Sequence, residues 1–531
     1  MIIKIFTLLI ALTVFMSTAT ASAEKILFVP HDDRPISRQN PIEVVAQLGV
    51  EILTPPAEIL TQPAQLWLWL EQNAPSANAA VLASDALLYG GLIPSRSHQI
   101  PAAELQARVE NFKALREKNP SLQLYVFGSL MRTPSFGTPG DIEEPEYYGQ
   151  YGADIFNLTC LLDKQETAEL NGNERAQLDA LQKNIPAEIL DDYFARREKN
   201  LAATKKLVDF AGAGAVDFLI IGRDDNAPLC QTHRENRQLL AYMKERGISK
   251  TVAQSHAGID EYAMLLLARA VNDLRGEIPF VNVQFNRGVG AKTVPAYSDE
   301  ELGLSIRDEI LIAGAMFVPN PTHADFVLMV NTDPRGKTYH QHNSFPPKVF
   351  TPREQKYFSR NAKNFSAMVE DAVAKNLPVG VADVISANGA DNALMNRLRE
   401  KNLLFKLQAY GGWNTATNTT GFLIGTGVLT RHMSRAARDR LLARRYLDDW
   451  GYQAFVRTKI AEDLAALPNG LVIYLHLGDR EAAVAERETQ LMREFAAENL
   501  PPLKFLRKLT VTNPWHRMFE CEIHFADDNA D

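Results

Sequence analysis

The chain has 531 residues, of which 46% are hydrophobic and 23% are charged, and its formal net charge at pH 7 is −8. This composition is ordinary for a globular protein, and the lack of a basic cluster argues against a nucleic acid partner or an anionic membrane surface. The length exceeds what a single core usually supports, so two or three domains are expected.

The first 23 residues have the pattern of a cleavable secretory signal. Lys4 precedes an apolar run over residues 5–16, and small residues end the segment at positions 21–23. The apolar run is shorter than the roughly twenty residues that a membrane-spanning helix needs, so no stable membrane anchor is expected. The sequence therefore predicts a periplasmic or secreted protein.

Short β-branched or aromatic runs recur along the chain, each followed by a turn and a helical pattern, which is typical of βα units in a parallel sheet. Their nearly continuous apolarity fits strands that are buried on both faces. The predicted strands are Lys25–Pro30, Val50–Pro55, Ala79–Ser84, Leu122–Gly128, Asp217–Gly222, Thr251–Ser255, Phe280–Phe285, Asp325–Val330, Val379–Val384 and Leu404–Tyr410. They favour an α/β fold with two Rossmann-like lobes, and the alternative is a decorated (β/α)8 barrel.

Changes in this pattern divide the chain further. Residues 145–210 are rich in helical pattern, and the segment after residue 430 combines helices with an apolar strand, Leu471–His476, and a strand-like Phe519–Phe525. The predicted units are a signal peptide (1–23), a first α/β lobe (24–144), a helical insertion or connector (145–210), a second α/β lobe (211–430) and a small C-terminal α+β domain (431–531).

The first predicted strand ends in an acidic motif that contains Asp32, Asp33 and Arg34. Two adjacent carboxylates beside an arginine are costly to bury without a ligand, a metal or a tight ion pair. The motif therefore indicates a functional loop, and the alternative is an exposed turn that caps a helix.

The third and fourth predicted strands lead to further polar groups. Asp85 and Tyr89 follow the third strand, where Gly90 permits either a close backbone approach to a ligand or a turn that only glycine can form. Arg96 suits a carboxylate, a phosphate or a sugar acid, and Arg132 adds a positive group after the fourth strand.

The strongest local signal follows the strand that ends at Gly222. Asp224, Asp225 and Asn226 stand where a barrel or a Rossmann strand delivers catalytic groups. A pair of carboxylates divides acid and base roles once their environments separate their pKa values, and the same oxygens also suit hard divalent cations. A structural network of ion pairs is the third alternative.

Asp260 and Glu261 open the next predicted helix. Acidic residues in a first turn are favoured by the helix dipole, which is the structural explanation. The functional explanation places one of them in the acidic pocket, with His256 as a metal ligand or proton carrier.

Trp413 and Asn414 lie late in the second predicted lobe. An exposed tryptophan with asparagine and glycine neighbours is a common arrangement for sugar stacking, whereas a buried tryptophan that anchors a turn is equally common. His340 and His342 lie in an earlier loop and would face one side only if that loop were a strand.

Several alternatives are disfavoured by missing motifs. The sequence has no G-x-S-x-G elbow, P-loop or H-E-x-x-H motif, and Thr293 stands where a dinucleotide G-x-G-x-x-G motif needs its third glycine. Cys160, Cys230 and Cys521 are far apart and odd in number, which indicates neither a disulfide framework nor a thiolate metal site, although one pair could close in an oxidising compartment.

The motifs in combination resemble the bacterial domain-of-unknown-function family numbered 4127, over almost the whole mature chain. The family more often has Asn where this chain has Ser37, and Gly where it has Cys230. The resemblance implies a shared site and no established activity. Its motifs are Asp32-Asp33-Arg34-Pro35, Ser84-Asp85, Tyr89-Gly90-Gly91, Ser95-Arg96, Asp224-Asp225, Gly258 with Asp260-Glu261, and Gly412-Trp413-Asn414-Thr415.

The leading hypothesis is an exported hydrolase that acts on a polar, carbohydrate-like substrate through paired carboxylates. Asp224 and Asp225 would supply the acid or base, Asp32 or Asp33 the partner, and Arg34 with Arg96 would orient the substrate. The other candidate catalytic residues are Asp85 and Glu261. The other candidate substrate-binding residues are Tyr89, Gly90, Arg132, Asn226, Asp260, Trp413 and Asn414.

Two alternatives remain at this stage. In the first, the same carboxylates bind Mg²⁺, Mn²⁺ or Ca²⁺ in a metal-dependent hydrolase. In the second, the protein is a two-lobed periplasmic solute-binding protein that closes on a sugar or cation. The expected partner is a small molecule or glycan, and the residues do not indicate an oligomeric state.

Overall fold

The computed structural model describes residues 24–137, 142–340 and 345–525. The predicted signal segment and His342 lie outside these ranges. Within them, no helix combines the length and apolarity that crossing a membrane requires.

Two parallel sheets form the centre of the described structure. The first has six strands in the order β2-β1-β3-β4-β5-β6, and the second has five in the order β11-β10-β9-β7-β8. Their strands are β1 (Lys25–Val29), β2 (Glu51–Leu53), β3 (Ala79–Ala83), β4 (Gln123–Leu130), β5 (Phe218–Arg223), β6 (Ala253–Ala257), β7 (Phe280–Phe285), β8 (Met316–Phe317), β9 (Phe326–Asn331), β10 (Val379–Asp383) and β11 (Ala409–Gly411).

The two sheets repeat one strand order. Counted from β7, the second sheet has the order 2-1-3-4-5, and the first begins with the same order and adds β6 at its edge. This is the flavodoxin-like arrangement of doubly wound α/β folds, and each sheet is open, with two edge strands. The α/β class and its parallel βα repeat are confirmed, and the strands form two open sheets instead of the alternative eight-stranded barrel.

Helices cover the sheets and form the insertion. The helices before the insertion are α1 (Gln39–Ala46), α2 (Pro63–Asn73), α3 (Ser84–Tyr89), α4 (Pro94–Ser97) and α5 (Ala102–Lys118). The segment predicted to be helical, 145–210, consists of α6 (Tyr148–Thr167), α7 (Gly172–Asn184) and α8 (Ala187–Gly212). The next helices are α9 (Gln231–Glu245), α10 (Tyr262–Arg275), α11 (Leu302–Ile312), α12 (Pro352–Ala374), α13 (Asn392–Glu400) and α14 (Ala416–Leu429).

Helices α10 and α14 join the two lobes along a shared seam. Every residue of α14 is buried, and so are ten of the fourteen residues of α10. The helices approach closely at Gly425, where an added Cβ would lie 2.8 Å from the carbonyl oxygen of Met264. One apolar core therefore runs from Ile26 in the first sheet to Leu328 in the second.

The C-terminal part differs from its prediction in one element. The apolar run Leu471–His476 is a helix, α17 (Gly470–Leu475), because a short apolar run fits a buried strand and a buried helix equally well. The remaining elements are α15 (Arg435–Arg445), a π-helical stretch (Tyr446–Val456), α16 (Arg457–Ala465), α18 (Glu481–Asn499), β12 (Thr510–Thr512) and β13 (Glu522–His524), of which β12 and β13 pair antiparallel.

The cysteines are free. Cys230 and Cys521 are buried and Cys160 is partly buried, and none of the three is in a disulfide. The structure therefore does not contain the cysteine pair that the sequence left open.

Candidate functional site

A cavity of about 1090 Å³ opens at the carboxyl ends of the first sheet. In sheets of this order, ligands bind where the strand order reverses, which here is between β1 and β3. The polar residues of the lining come from both lobes and from the C-terminal segment. They include Arg34, Arg96, Arg132, Glu143, Glu144, Asp224, Asp225, Asn226, Asp260, His340, Asn388, Asn414 and Arg517.

The first charged group of the cavity is built around Arg34, which follows β1. Its guanidinium donates to Asp32 Oδ2 at 2.7 Å and to Asp260 Oδ1 at 2.6 Å, and so joins the loops after β1 and β6. Burial alone would raise the pKa of Asp260, but Arg34 and His31 outweigh it and lower that pKa. Asp260 is therefore held in its ionised form.

His31 lies beneath this group and is fully buried. Burial disfavours a charged ring, yet Asp32 and Asp260 outweigh that effect and raise the pKa of His31 to about 9. Its Nε2 lies 3.3 Å from oxygens of both carboxylates. An imidazolium at neutral pH supplies the second positive charge of this group.

The second charged group contains Arg96 and Arg132. Arg96 pairs with Asp224 at 2.8 Å, and Arg132 pairs with Asp225, also at 2.8 Å. Both guanidiniums also contact Glu143, at 3.3 Å and 2.9 Å respectively. The sequence reasoning missed Glu143 and its neighbour Glu144, which stand between a loop and the helical insertion, where no strand end marks them.

Asp225 has an unusual environment among the predicted catalytic residues. Burial and the adjacent charge of Asp224 raise its pKa to about 7, even though Arg132 acts in the opposite direction. Its backbone has φ +40°, a left-handed conformation that non-glycine residues seldom adopt. A carboxyl group in this state exchanges a proton near neutral pH.

Two predicted asparagines also reach the cavity. Asn414 donates from Nδ2 to Asp260 Oδ2 at 3.2 Å and has φ +39°. The backbone N–H of Asn226 donates to the carbonyl of Tyr297, whereas its side-chain Nδ2 has no hydrogen-bond partner within the described ranges. Asn226 therefore offers a free donor beside Asp225.

Two predicted carboxyl groups lie behind the cavity. Asp85 is buried and accepts from Ser129 Oγ at 2.9 Å, and burial raises its pKa to about 6. Glu261 is fully buried near His256 and Glu309, which together form a group that could hold a metal ion. Asp85 and Glu261 are not among the described residues that line the cavity.

Four other predicted residues have positions away from the cavity wall. Tyr89 stacks on His98 with ring centroids 4.9 Å apart, and Gly90 ends α3 with φ +93°. Trp413 is buried against Phe519, which corresponds to the turn anchor named as its alternative. Asp33 is exposed at the surface.

Trp515, and not Trp413, contributes a tryptophan ring to the described cavity lining. The guanidiniums of Arg34 and Arg517 contact its ring, with Cζ atoms 5.0 Å and 4.7 Å from the ring centroid. Its indole N–H donates to Asp33 at 2.7 Å. The signal available in the sequence was the Trp-His-Arg run, in a tail without a strong pattern.

The cavity thus combines a proton-carrying carboxyl group, Asp225, with an ionised one, Asp260. Arginine side chains pair with both, and aromatic rings, among them Phe136 and Tyr148, are also part of the lining. Such a pair, with pKa values shifted in opposite directions, is the arrangement that general acid–base catalysis uses.

Comparison with known proteins gives one family. The family model described as "Protein of unknown function (DUF4127)" matches residues 26–524. No curated protein matches the chain.

Proposed function

We propose that this chain, which belongs to the DUF4127 family, is a hydrolase that cleaves a polar, carbohydrate-like substrate by acid–base catalysis. In this proposal Asp225 donates a proton to the leaving group as the glycosidic bond breaks, and the ionised Asp260 accepts a proton from the water that attacks the sugar carbon. The observation that carries it is that one cavity contains both carboxyl groups, with their pKa values shifted in opposite directions.

The role of Asp225 follows from its proton. A general acid works best when its pKa is near the working pH, and a pKa of about 7 leaves roughly half of the molecules protonated at neutrality. Its left-handed backbone is the kind of local strain that concentrates at functional sites.

The role of Asp260 follows from its partners. Arg34, His31 and Asn414 all contact it, and together they fix its position and its charge. This assignment replaces Asp32 and Asp33 as the partner, because Asp32 is not among the described residues that line the cavity and Asp33 lies at the surface. The sequence predicted Asp260 to bind substrate, and the proposed catalytic role also places it in contact with the substrate.

The substrate class follows from the remaining surface of the cavity. Arg34, Arg96 and Arg132 are already paired with carboxylates, so a highly anionic substrate would have to displace those pairs. Neutral hydroxyl groups can instead bond to the edges of the pairs, while sugar rings stack on exposed aromatic rings of the lining such as Phe136. The volume, about 1090 Å³, is at the upper end for small-molecule sites and has room for more than one sugar ring.

A metal-dependent mechanism in this cavity has weaker support. Asp224 and Asp225 are bound by Arg96 and Arg132, and a cation at these oxygens would compete with two guanidiniums. The proposed setting is the periplasm or the exterior of the cell, on the basis of the predicted signal segment.

The proposal is tested by screening residues 24–531 for hydrolysis of oligosaccharides and chromogenic glycosides. Asp225→Asn should lower kcat by about 10²-fold or more, because amide cannot donate the proton, while ligand binding measured by calorimetry is retained. Asp179→Asn, at an exposed position on α7, is the matched control and should have wild-type activity.

Two outcomes would contradict the proposal. Turnover that survives in Asp225→Asn would remove this carboxyl group from the mechanism. Tight sugar binding without turnover by the wild-type protein would instead favour the solute-binding alternative.

A further inference from the structure

A second group of ionisable side chains lies beneath the cavity, where the two lobes meet. His256 belongs to β6, Glu261 immediately precedes α10, and Glu309 lies on α11 of the second lobe. All three are fully buried, and one donor atom from each lies within 4.8 Å of the others. The group therefore connects three elements from both lobes.

The two carboxyl groups have few partners. Neither oxygen of Glu261 has a hydrogen-bond partner in the described part of the chain, and Glu309 Oε2 has none there either. Glu309 Oε1 accepts from Thr420 Oγ1 at 2.9 Å. Burying two carboxyl groups in this way is costly unless they retain protons or bind a cation.

The orientation of His256 favours a cation. Its Nε2 lies 3.2 Å from the carbonyl oxygen of Ser305, which can only accept, so Nε2 carries the proton. The hydroxyl of Tyr262 already donates to the carbonyl of His256 at 2.7 Å. The lone pair of Nδ1 therefore faces Glu261 Oε1, 3.8 Å away. Histidines that bind metals usually donate their other N–H to a carbonyl or carboxylate.

We propose that His256, Glu261 and Glu309 bind a divalent transition-metal ion, with Zn²⁺ and Mn²⁺ as the best-fitting ions. One imidazole nitrogen and two carboxylates match the ligand preferences of these ions. Bonds of about 2.0–2.2 Å to a central ion require the donor atoms to draw together by roughly 1 Å, which rotation of the two glutamate side chains can supply.

The site has a structural role. The ion joins β6 and the start of α10 to α11, and so ties the first lobe to the second. The ion also fixes Glu261, which is next to Asp260 in the chain. The three ligands are not among the described residues of the cavity lining. The metal site does not depend on the proposed hydrolase activity. The protein can bind the ion without hydrolysing a substrate, and it can hydrolyse a substrate without binding the ion.

The test measures metal content in residues 24–531, purified without chelator and then dialysed with ZnCl₂ or MnCl₂. Mass spectrometry of the metals should find about one ion per chain in the wild type and less than a tenth of that in Glu261→Gln and Glu309→Gln. Glu488→Gln is the matched control, because Glu488 is buried but accepts from Tyr452 and Asn513, and it should keep the ion.

A second measurement does not depend on the folding of the variants. Chelator should lower the Tm of the wild type by about 2 °C or more, and Zn²⁺ or Mn²⁺ should restore it, because an ion that binds only the folded state stabilises that state. Glu309→Gln tests the alternative that the two carboxyl groups only hold protons, because glutamine has the shape of a protonated glutamate. A wild type that takes up no ion overturns the proposal. A Tm of Glu309→Gln equal to or above that of the wild type would then show that the pair only holds protons. Uptake that persists in both glutamate variants would overturn the proposal equally.

Discussion

Asp225 combines two unfavourable features at one residue. It has a left-handed backbone, and it is a carboxyl group placed beside another carboxylate where burial raises its pKa to about 7. The left-handed backbone costs free energy of about 1–3 kcal/mol in general, and such a cost persists where the surrounding structure imposes the conformation. Arg132 pairs with the carboxyl group of Asp225.

The state of these two carboxyl groups predicts a pH profile. Asp225 must be protonated to act as an acid, so kcat/KM should fall by about tenfold per pH unit above about 7. Asp260 must be ionised, and its lowered pKa moves the acidic limb below the ordinary range of an aspartate. The profile of the wild type, measured from pH 3 to about 10, checks both limbs. A rate that increases through pH 7 would show that Asp225 acts as a base instead.

At this scale the sequence predicted the groups that follow the strands. Arg34 and Asp225 were found because they lie shortly after buried apolar strands, and Asp260 because it opens a predicted helix. Trp515 and Glu143 were missed because they come from segments without periodic pattern, and only tertiary contacts bring them to the cavity.

The seam between α10 and α14 depends on small residues at the helix contact. At Gly425, an added Cβ would meet the carbonyl oxygen and carbon of Met264 at 2.8 Å and 2.9 Å, and these backbone atoms cannot rotate away. The close approach of these helices is therefore sensitive to a single methyl group.

Gly425→Ala should consequently destabilise the protein. Overpacking should cost about 1–3 kcal/mol, more than the roughly 1 kcal/mol that alanine gains in a helix. Gly172→Ala is the matched control, because nothing lies within 4 Å of its added Cβ. Urea unfolding of both variants checks the difference. A Gly425→Ala protein as stable as the control would mean that the helices can separate without loss.

Elements were predicted well where a long apolar run fixed them. The strand Phe280–Phe285 has the predicted bounds, whereas Leu404–Tyr410 is reduced to Ala409–Gly411. No sequence pattern predicted β8, since a strand of two residues is too short for a periodic pattern.

The whole molecule repeats one topology on both sides of the seam. Both sheets contain the strand order 2-1-3-4-5, and the first adds β6, yet a single apolar core includes residues from both sheets. The predicted second lobe, 211–430, includes β5 and β6, whereas these two strands belong to the first sheet. The continuous core predicts that the two lobes unfold together.

This prediction can be checked by hydrogen exchange in increasing urea. Peptides that contain β1 and β9 should lose protection at the same urea concentration, because strands in one cooperative core are exposed together. Peptides from the insertion, whose helices have their own small core, serve as the reference for a separate unit. Loss of protection in β9 while β1 remains protected would show independent lobes.

The buried helix pair also determines how a substrate gains access. Solute-binding proteins trap their ligands by rocking two lobes about a flexible connection. Here the same rotation would pull apart core side chains along the full length of α10 and α14. Entry and exit must therefore depend on the mouth of the cavity, whose lining includes Trp515 and residues of the insertion, and the width of that mouth limits which molecules pass.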